Sequence, residues 1–303
     1  MKVTVGICAF NEAHPIGACL QSLLLQRISP DFELIEIVVV ASGCTDGTER
    51  VVREWQDRDP RTLLVREPQR RGKASGLNEI FRRAQGEIIA ILNADAVLHD
   101  DALTELLRPF ASDPGVMVAC GAPVPDSSSE GVMRVVADFH WELHNRTLDT
   151  LSRRSRPNHC CDEFMALRRG FVTRLPSELV NDGAYIGALA SLRGISVRFC
   201  PEARVSVAIP SSLHGLVRQR RRILRGHNQV EALLGRSPNT FAKLLTNEPA
   251  LAIRVTACQI LSQPARVLAL LLVIIPLETW AAMLAARDRV LHLRYEPAWH
   301  PVE

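Results

Sequence analysis

The chain opens on a short apolar run with recurring β-branched residues, Val3 to Ala9, and two kinds of hydrophobic pattern then alternate along the first hundred or so positions. Compact stretches rich in Val, Ile and Leu read as buried strands at 34–40 (LIEIVVV), 62–68 (TLLVREP) and 87–94 (EIIAILNA). Between them apolar residues fall at helical spacing over 13–26, 49–56, 73–86 and 100–111. Pro15 suits a first helical turn, Gly86 closes the third helix, and Asp100 or Asp101 is placed to cap the fourth. Strands alternating with helices predict an α/β fold with a doubly wound parallel sheet. In such sheets ligands bind beyond the carboxyl ends of the strands. The strand ends here carry FNE (10–12), SGCTDGT (42–48) and NAD (93–95).

From about 116 to 210 the pattern is mixed. Short strands are expected at 116–124, 164–169, 197–200 and 205–209, with helices over 130–150 and 181–193, and a further helix over 211–226 that begins at serine caps and ends at Gly226. PDSSSEG, 125–131, reads as a loop. Beyond about 248 the character changes, and 267–277 (VLALLLVIIPL) is uninterrupted apolar sequence. Glu278 and Thr279 stop it short of the roughly 20 residues that span a bilayer. Spanning length is reached only with that glutamate inside, a costly placement unless it pairs. Two readings follow for 267–284: a helix packed on the domain, or one in contact with lipid, flanked by a basic helix and Trp280 as interface anchors.

Composition narrows the field. A chain of 303 residues with 47% apolar content is long enough for one large α/β domain and an appendage, and it is not a disordered chain. A net charge of +3 gives no case for a nucleic-acid partner, and the basic block RQRRRILR, 218–225, reads as a solvated helix face. Eight cysteines occur without a CxxC pair, and Cys160 and Cys161 are adjacent, which suits reduced thiols in a cytoplasmic protein. The first ten residues read as a strand and not as a signal peptide.

Taken in chain order, FNE, SGCTDGT, NAD, VNDGAYIG (180–187) and QRRRI (219–223) resemble the family 2 glycosyltransferases, inverting enzymes with a GT-A fold. The resemblance covers about 3–226 and lies in order and spacing. It implies a glycosyltransferase domain over 1–226, with a nucleotide-sugar-binding half at 1–115 and an acceptor half at 116–226. A helical segment over 227–303 follows, with 249–286 as the stretch for membrane contact and the cytoplasmic face of the membrane as its place.

The chemistry of moving a sugar from a nucleoside diphosphate needs neutralisation of the leaving diphosphate, a base for the acceptor hydroxyl and a cleft for the nucleotide. Asp95, at a strand end, is the candidate ligand for Mg²⁺ or Mn²⁺. Asn93 stands where the family commonly has the first Asp of D-x-D, so weak metal affinity is expected. Asp182 matches the family's acidic base and also suits a helix N-cap, while Asn181 stands where an acid often does. Gln219 and Arg222 share one helix face and match the first and fourth residues of Q-x-x-R-W, an arginine suited to diphosphate. Ile223 replaces the tryptophan, which argues against a processive enzyme. The resemblance places Phe10, Asn11 and Glu12 at the base and ribose, and Lys73, in GKASGLN, near the nucleotide. Ala41 and Ser42 stand where two aspartates are common, which leaves the donor open between a UDP-sugar, favoured, and a GDP-sugar. Asp46 is expected to cap the helix after its turn, Arg220, Arg221 and Arg225 to be solvated or membrane-facing, and the His140 and His144 pair to lack a third metal ligand. The acceptor stays open among a glycan, a lipid-linked sugar and a small molecule. Two rivals are a sugar nucleotidyltransferase, whose G-x-G-T-R-like loop CAFNEAH does not supply, and a degenerate non-catalytic scaffold.

Overall fold

The computed structural model describes residues 1–126, 130–238 and 240–291, so serines 127–129 of the expected PDSSSEG loop lie outside the described residues. The first half alternates as its pattern demands: β1 (Lys2–Ala9), α1 (Ile16–Leu24), β2 (Glu33–Ser42), α2 (Thr48–Arg58), β3 (Thr62–Glu67), α3 (Lys73–Arg83) and β4 (Ile88–Asn93). A two-residue strand, β5 (Val97–Leu98), precedes α4 (Ala102–Ser112). Then come β6 (Val118–Pro125), α5 (Gly131–Arg153), β7 (Phe164–Arg168), α6 (Asp182–Leu192), β8 (Arg198–Val207) and α7 (Leu213–Leu234).

One eight-stranded sheet results, in the order β3-β2-β1-β4-β7-β6-β8-β5. The expected parallel half is present, β1 pairing in parallel with both β2 and β4, and β2 with β3. Beyond it the sheet turns mixed, because β7 runs antiparallel to β4 and β6 while β8 runs parallel to β6. The period of two along each strand sorts side chains onto two faces. Val3, Val5 and Ile7 pack with Ile16, Leu20 and Leu23 of α1, while Val38, Val40, Ile89 and Ile91 pack with Leu77 and Ile80 of α3. Both faces are covered by helices, and the polar pair on one of them, Thr4 donating to Glu36 at 2.6 Å, is buried with its hydrogen bond satisfied.

Several expectations change on local grounds. The two strands expected at 197–200 and 205–209 are one strand, β8, with Pro201 and Glu202 on its exposed stretch. Asp101 sits at the N-cap of α4 in the left-handed region (φ 60°) without a side-chain cap bond, and it and Asp100 face Arg27 instead. Gly86 lies past the end of α3, where a Cβ would come within 2.5 Å of the Thr4 nitrogen, so its duty is close approach to β1. Gly226 does not stop α7, which runs on to Leu234 through the boundary drawn at 226. A Cβ there would lie 2.7 Å from the Asn181 Cβ, so this glycine lets α7 pack against the start of α6.

The C-terminal helices are α8 (Phe241–Asn247), α9 (Pro249–Ser262), α10 (Pro264–Ala269) and α11 (Ile275–Val290), the last two joined through a π-helical turn at Leu270–Ile274 just before Pro276. They fasten to α5 and α7 by polar contacts. The Gln259 amide donates to the Phe139 carbonyl at 2.9 Å, and Arg266 pairs with Glu142. Glu278 accepts from the Arg220 Nη2 at 3.1 Å and meets the His140 Nε2 (3.0 Å), and Asp288, fully buried, binds Arg221 (2.6 Å) and Arg225 (2.9 Å). Three arginines of the basic block are therefore not free in solvent or against lipid: Arg220, Arg221 and Arg225 are partly buried and held by the C-terminal helix, while Arg218 is exposed. The three held arginines pair with the two acids of α11, and Arg287 of α11 itself adds a contact to Asp288 at 3.6 Å. Among the described residues Pro264–Val290 is the one helix long and apolar enough to cross a membrane by length and composition, with a mean hydropathy of 2.3 in its most apolar window and 18% of that window buried.

Candidate active site

A cavity of about 660 Å³ opens at the carboxyl ends of β1, β2 and β4, where β1 has neighbours on both sides and the strand order reverses. Such a reversal splays the following loops apart and leaves a crevice. Phe10 and Glu12 reach its wall after β1, Ser42 closes β2, Asn93 closes β4 and Asp95 follows it. Phe10 carries the Arg70 guanidinium over its ring at 3.7 Å. Asn11, between them, takes a left-handed conformation (φ 55°) and its amide oxygen accepts from the Thr45 N–H at 2.8 Å, so it ties two loops together away from the cavity wall. Burial, then the nearby charges of Asp95 and Asp46, push the Glu12 carboxyl up to about 8. The Ser42 hydroxyl donates to Glu67 at 2.5 Å and accepts from the Arg71 N–H at 3.1 Å. Asp46 accepts from the N–H groups of Thr48 (2.9 Å) and Ala13 (3.0 Å), the helix-start duty expected of it.

Asn93 and Asp95 offer only oxygen donors, and burial raises the Asp95 carboxyl above its ordinary range against the opposing pull of Lys73. A cation would restore its charge. Among the described residues no three His, Cys, Asp or Glu side chains converge as a metal cage. This donor set fits an open Mg²⁺ or Mn²⁺ site, in which phosphate oxygens and water complete the coordination. His140 and His144 have other neighbours. His140 is taken by Glu278, and His144 stacks on Trp141 with 5.4 Å between centroids.

The ammonium of the site belongs to Lys73, at the start of α3. Its ammonium lies 3.1 Å from Asp182 and 3.6 Å from Asp162. Burial works against that charge, but Asp182 and then Asp162 outweigh it and hold the ammonium above its usual range. Asp182 is 4% exposed and sits at the first turn of α6, behind the cavity wall. Asn181, not Asp182, caps this helix, accepting from the Ala184 N–H at 2.8 Å. Burial raises the Asp182 carboxyl, with Lys73 opposing and Asp162 adding to the rise.

Asp162 was not singled out by sequence and stands on the cavity wall. It belongs to the irregular segment before β7, which reaches the site because Gly183 gives way: a Cβ there would meet the Cys160 carbonyl oxygen at 2.3 Å. Burial works against its charge, and Lys73 and His159 hold its carboxyl below the usual range nonetheless. Glu163, beside it, is pushed up to about 8 by burial and by the Asp162 charge, and accepts from the Cys161 thiol at 2.8 Å. The seven cysteines described, Cys160 and Cys161 among them, are free.

From the other side α7 places Gln219, Arg222 and Ile223 on the wall. Three imidazoles continue from Asp162, with His144 6.0 Å from His159 and His159 5.8 Å from His227. Burial keeps His144 and His227 neutral, both pushed down to about 3. The spacing of Gln219 and Arg222 announced their shared face. Nothing in the sequence brought His159 or Asp162 to it.

A sheet of this order with helices on both faces and a cavity at its switch point defines a GT-A glycosyltransferase fold. It is shared with a mannosyltransferase from Pyrobaculum calidifontis, solved in complex with GDP-Man and Mn²⁺ (24% identity, TM-score 0.67, 96% of this chain and 88% of that one), and with residues 1–349 of TarS from S. aureus (13%, 0.53, 84% and 74%). Glycosyl transferase family 2 matches residues 4–175, and the chain belongs to that family. Poly-β-1,6-N-acetyl-D-glucosamine synthases are similar over much of it: that of Staphylococcus aureus strain COL is 21% identical over 231 residues, 75% of this chain and 55% of the synthase, and that of Staphylococcus epidermidis is 21% identical over 227 residues. The chain thus spans about half the length of the curated relatives it matches.

Proposed function

We propose that the chain transfers a sugar from a nucleoside diphosphate donor to an acceptor hydroxyl, with inversion. The observation that carries this reading is the meeting of Asp95, Lys73, Asp162 and Asp182 at the switch point of a family 2 sheet. Phe10 and Glu12 receive the nucleoside, Ser42 and Asn93 orient the sugar or ribose, and Arg222 and Gln219 face the diphosphate. Asp95, with Asn93 beside it, holds the divalent ion, which when bound supplies Lewis-acid neutralisation of the diphosphate. The acceptor oxygen forms a bond to the anomeric carbon while the bond to the diphosphate breaks, its electron pair leaving with the nucleotide. Asp182 takes the acceptor proton, and Lys73 keeps the resulting charge balance within the pocket. A UDP-sugar is the first donor to test, and GDP-Man in the Pyrobaculum enzyme puts a GDP-sugar beside it. The apolar 264–290 helix supports work at the cytoplasmic face of a membrane.

A second reading of the base is favoured by one observation: Asp162 lines the cavity and Asp182 does not. Asp182→Asn and Asp162→Asn, each assayed for transfer and for donor affinity, separate the two. Loss of a general base costs roughly 10²–10⁴ in turnover, with donor affinity kept. A loss of that size in Asp182→Asn alone supports the first assignment and in Asp162→Asn alone the second. Equal loss of donor affinity and turnover in Asp182→Asn makes that residue structural.

A further inference from the structure

The catalytic cavity does not end at the charged residues. It continues past the three imidazoles into an apolar arm walled by Met133 and Phe139 of α5, Leu216 of α7, and Leu270, Ile274 and Ile275 of the C-terminal helix. Along α5 the lining runs from Met133 through Phe139 and His140 to His144, whose ring lies 6.0 Å from that of His159, three residues before Asp162, so the imidazoles stand between the arm and the carboxylates. Each of the three leaves one ring nitrogen, His144 Nε2, His159 Nδ1 and His227 Nε2, without a hydrogen-bond partner among the described residues. The far end of the arm reaches the surface. Ile275 lines the cavity yet is 49% exposed, on the helix whose outer face shows Leu271, Leu272 and Met283. A soluble sugar acceptor has no use for such an arm, and an arm that joins the reaction chamber to an apolar exterior matches an amphiphile.

We propose that the apolar arm takes the hydrocarbon chain of a lipid-carried acceptor, whose polar head sits at the imidazoles with its hydroxyl toward Asp162 and Asp182. This inference rests on the sugar-transfer reading and names its acceptor class. The Arg220, Glu278 and His140 cluster then marks the boundary between head and chain, its charges cancelled so that a chain passes without meeting a bare ion. Neutral imidazoles suit the hydroxyls of a head, since they donate and accept without adding charge.

The test uses the full chain in lipid nanodiscs, with a dodecyl glucoside carrying a diazirine at the chain end, photolysed in the presence of nucleotide and Mn²⁺. Crosslinks at Phe139, Leu216 or Ile274 are expected. An Ile274→Trp variant, which fills the arm, should lose at least about tenfold of this inner labelling while labels on Leu272 and Met283 persist, because burying even two methylenes is worth roughly that factor. Labels confined to Leu271, Leu272 and Met283, no labels at all, or inner labelling unchanged in Ile274→Trp and in a second filled variant, Leu216→Trp, would overturn the arm as a chain site. Calorimetry of UDP and GDP on the same preparation keeps the two ideas apart. Nucleotide binding without inner labels removes the acceptor class alone, whereas no nucleotide binding removes the transferase reading and the acceptor with it.

Discussion

The cavity end of the parallel strands and the C-terminal helix both bury acidic residues, and they settle the cost differently. On α11, Glu278 meets Arg220 and His140, and Asp288 meets Arg221 and Arg225, so each acid has at least one cation of its own. At the strand ends Glu12, Asp95, Asp162, Glu163 and Asp182 gather with Lys73 as the ammonium among them. Complete pairing serves to fasten one helix to another. Incomplete pairing leaves carboxyls with raised proton affinity, as at Glu12 and Glu163, and such poise is characteristic of functional sites. The second cluster has room for a further cation, and the first is already balanced by its own arginines.

The comparison breaks most severely at Lys73. Lys73→Met leaves Asp182 and Asp162 buried without their cation and is expected to cost about 3 kcal/mol of stability, read from urea unfolding, with transfer lost as well. At the seam between the two regions, Gly226→Ala forces a methyl against Asn181 and should cost about 2 kcal/mol by the same measurement. On the paired side, Asp288→Ala frees Arg221 and Arg225, which are partly exposed and can hydrate, so the loss should be only about 1 kcal/mol. Limited proteolysis should then cut the C-terminal segment first.

A further effect concerns pH. A carboxyl raised from its ordinary 4.5 to about 8 in the folded state binds more protons there than in the unfolded chain between those values. Its contribution to stability is therefore full below 4.5 and is lost as pH rises through about 8. Glu163→Gln should match the parent in melting temperature at low pH and exceed it by a few degrees above pH 8. A constant offset across the range would assign the difference to packing and not to charge.

Much of this arrangement was written locally. The four parallel strands are legible as runs of Val, Ile and Leu with turn residues behind them, so the sequence alone puts Phe10, Glu12, Ser42, Asn93 and Asp95 at strand ends. Lys73 and the Gln219 and Arg222 face were likewise readable from helix starts and spacing. Asp162 was not, because it lies in an irregular segment delivered to the cavity by a contact with Gly183, a relation no window of sequence contains. Asn11 looked equivalent to its neighbours, yet a left-handed backbone turns its amide onto Thr45. The arginines of α7 read as solvated because their partners lie some sixty residues further on. β8 was split in two by Pro201 and Glu202, which a strand tolerates where its stretch is exposed.

The most direct test of the account is a calorimetric titration of the purified chain with UDP and with GDP, each with and without Mn²⁺, repeated on Asp95→Ala. Binding of one nucleotide that requires the metal and disappears in the variant is the predicted result. Metal-independent binding that survives in Asp95→Ala, or no binding of either nucleotide, would contradict it.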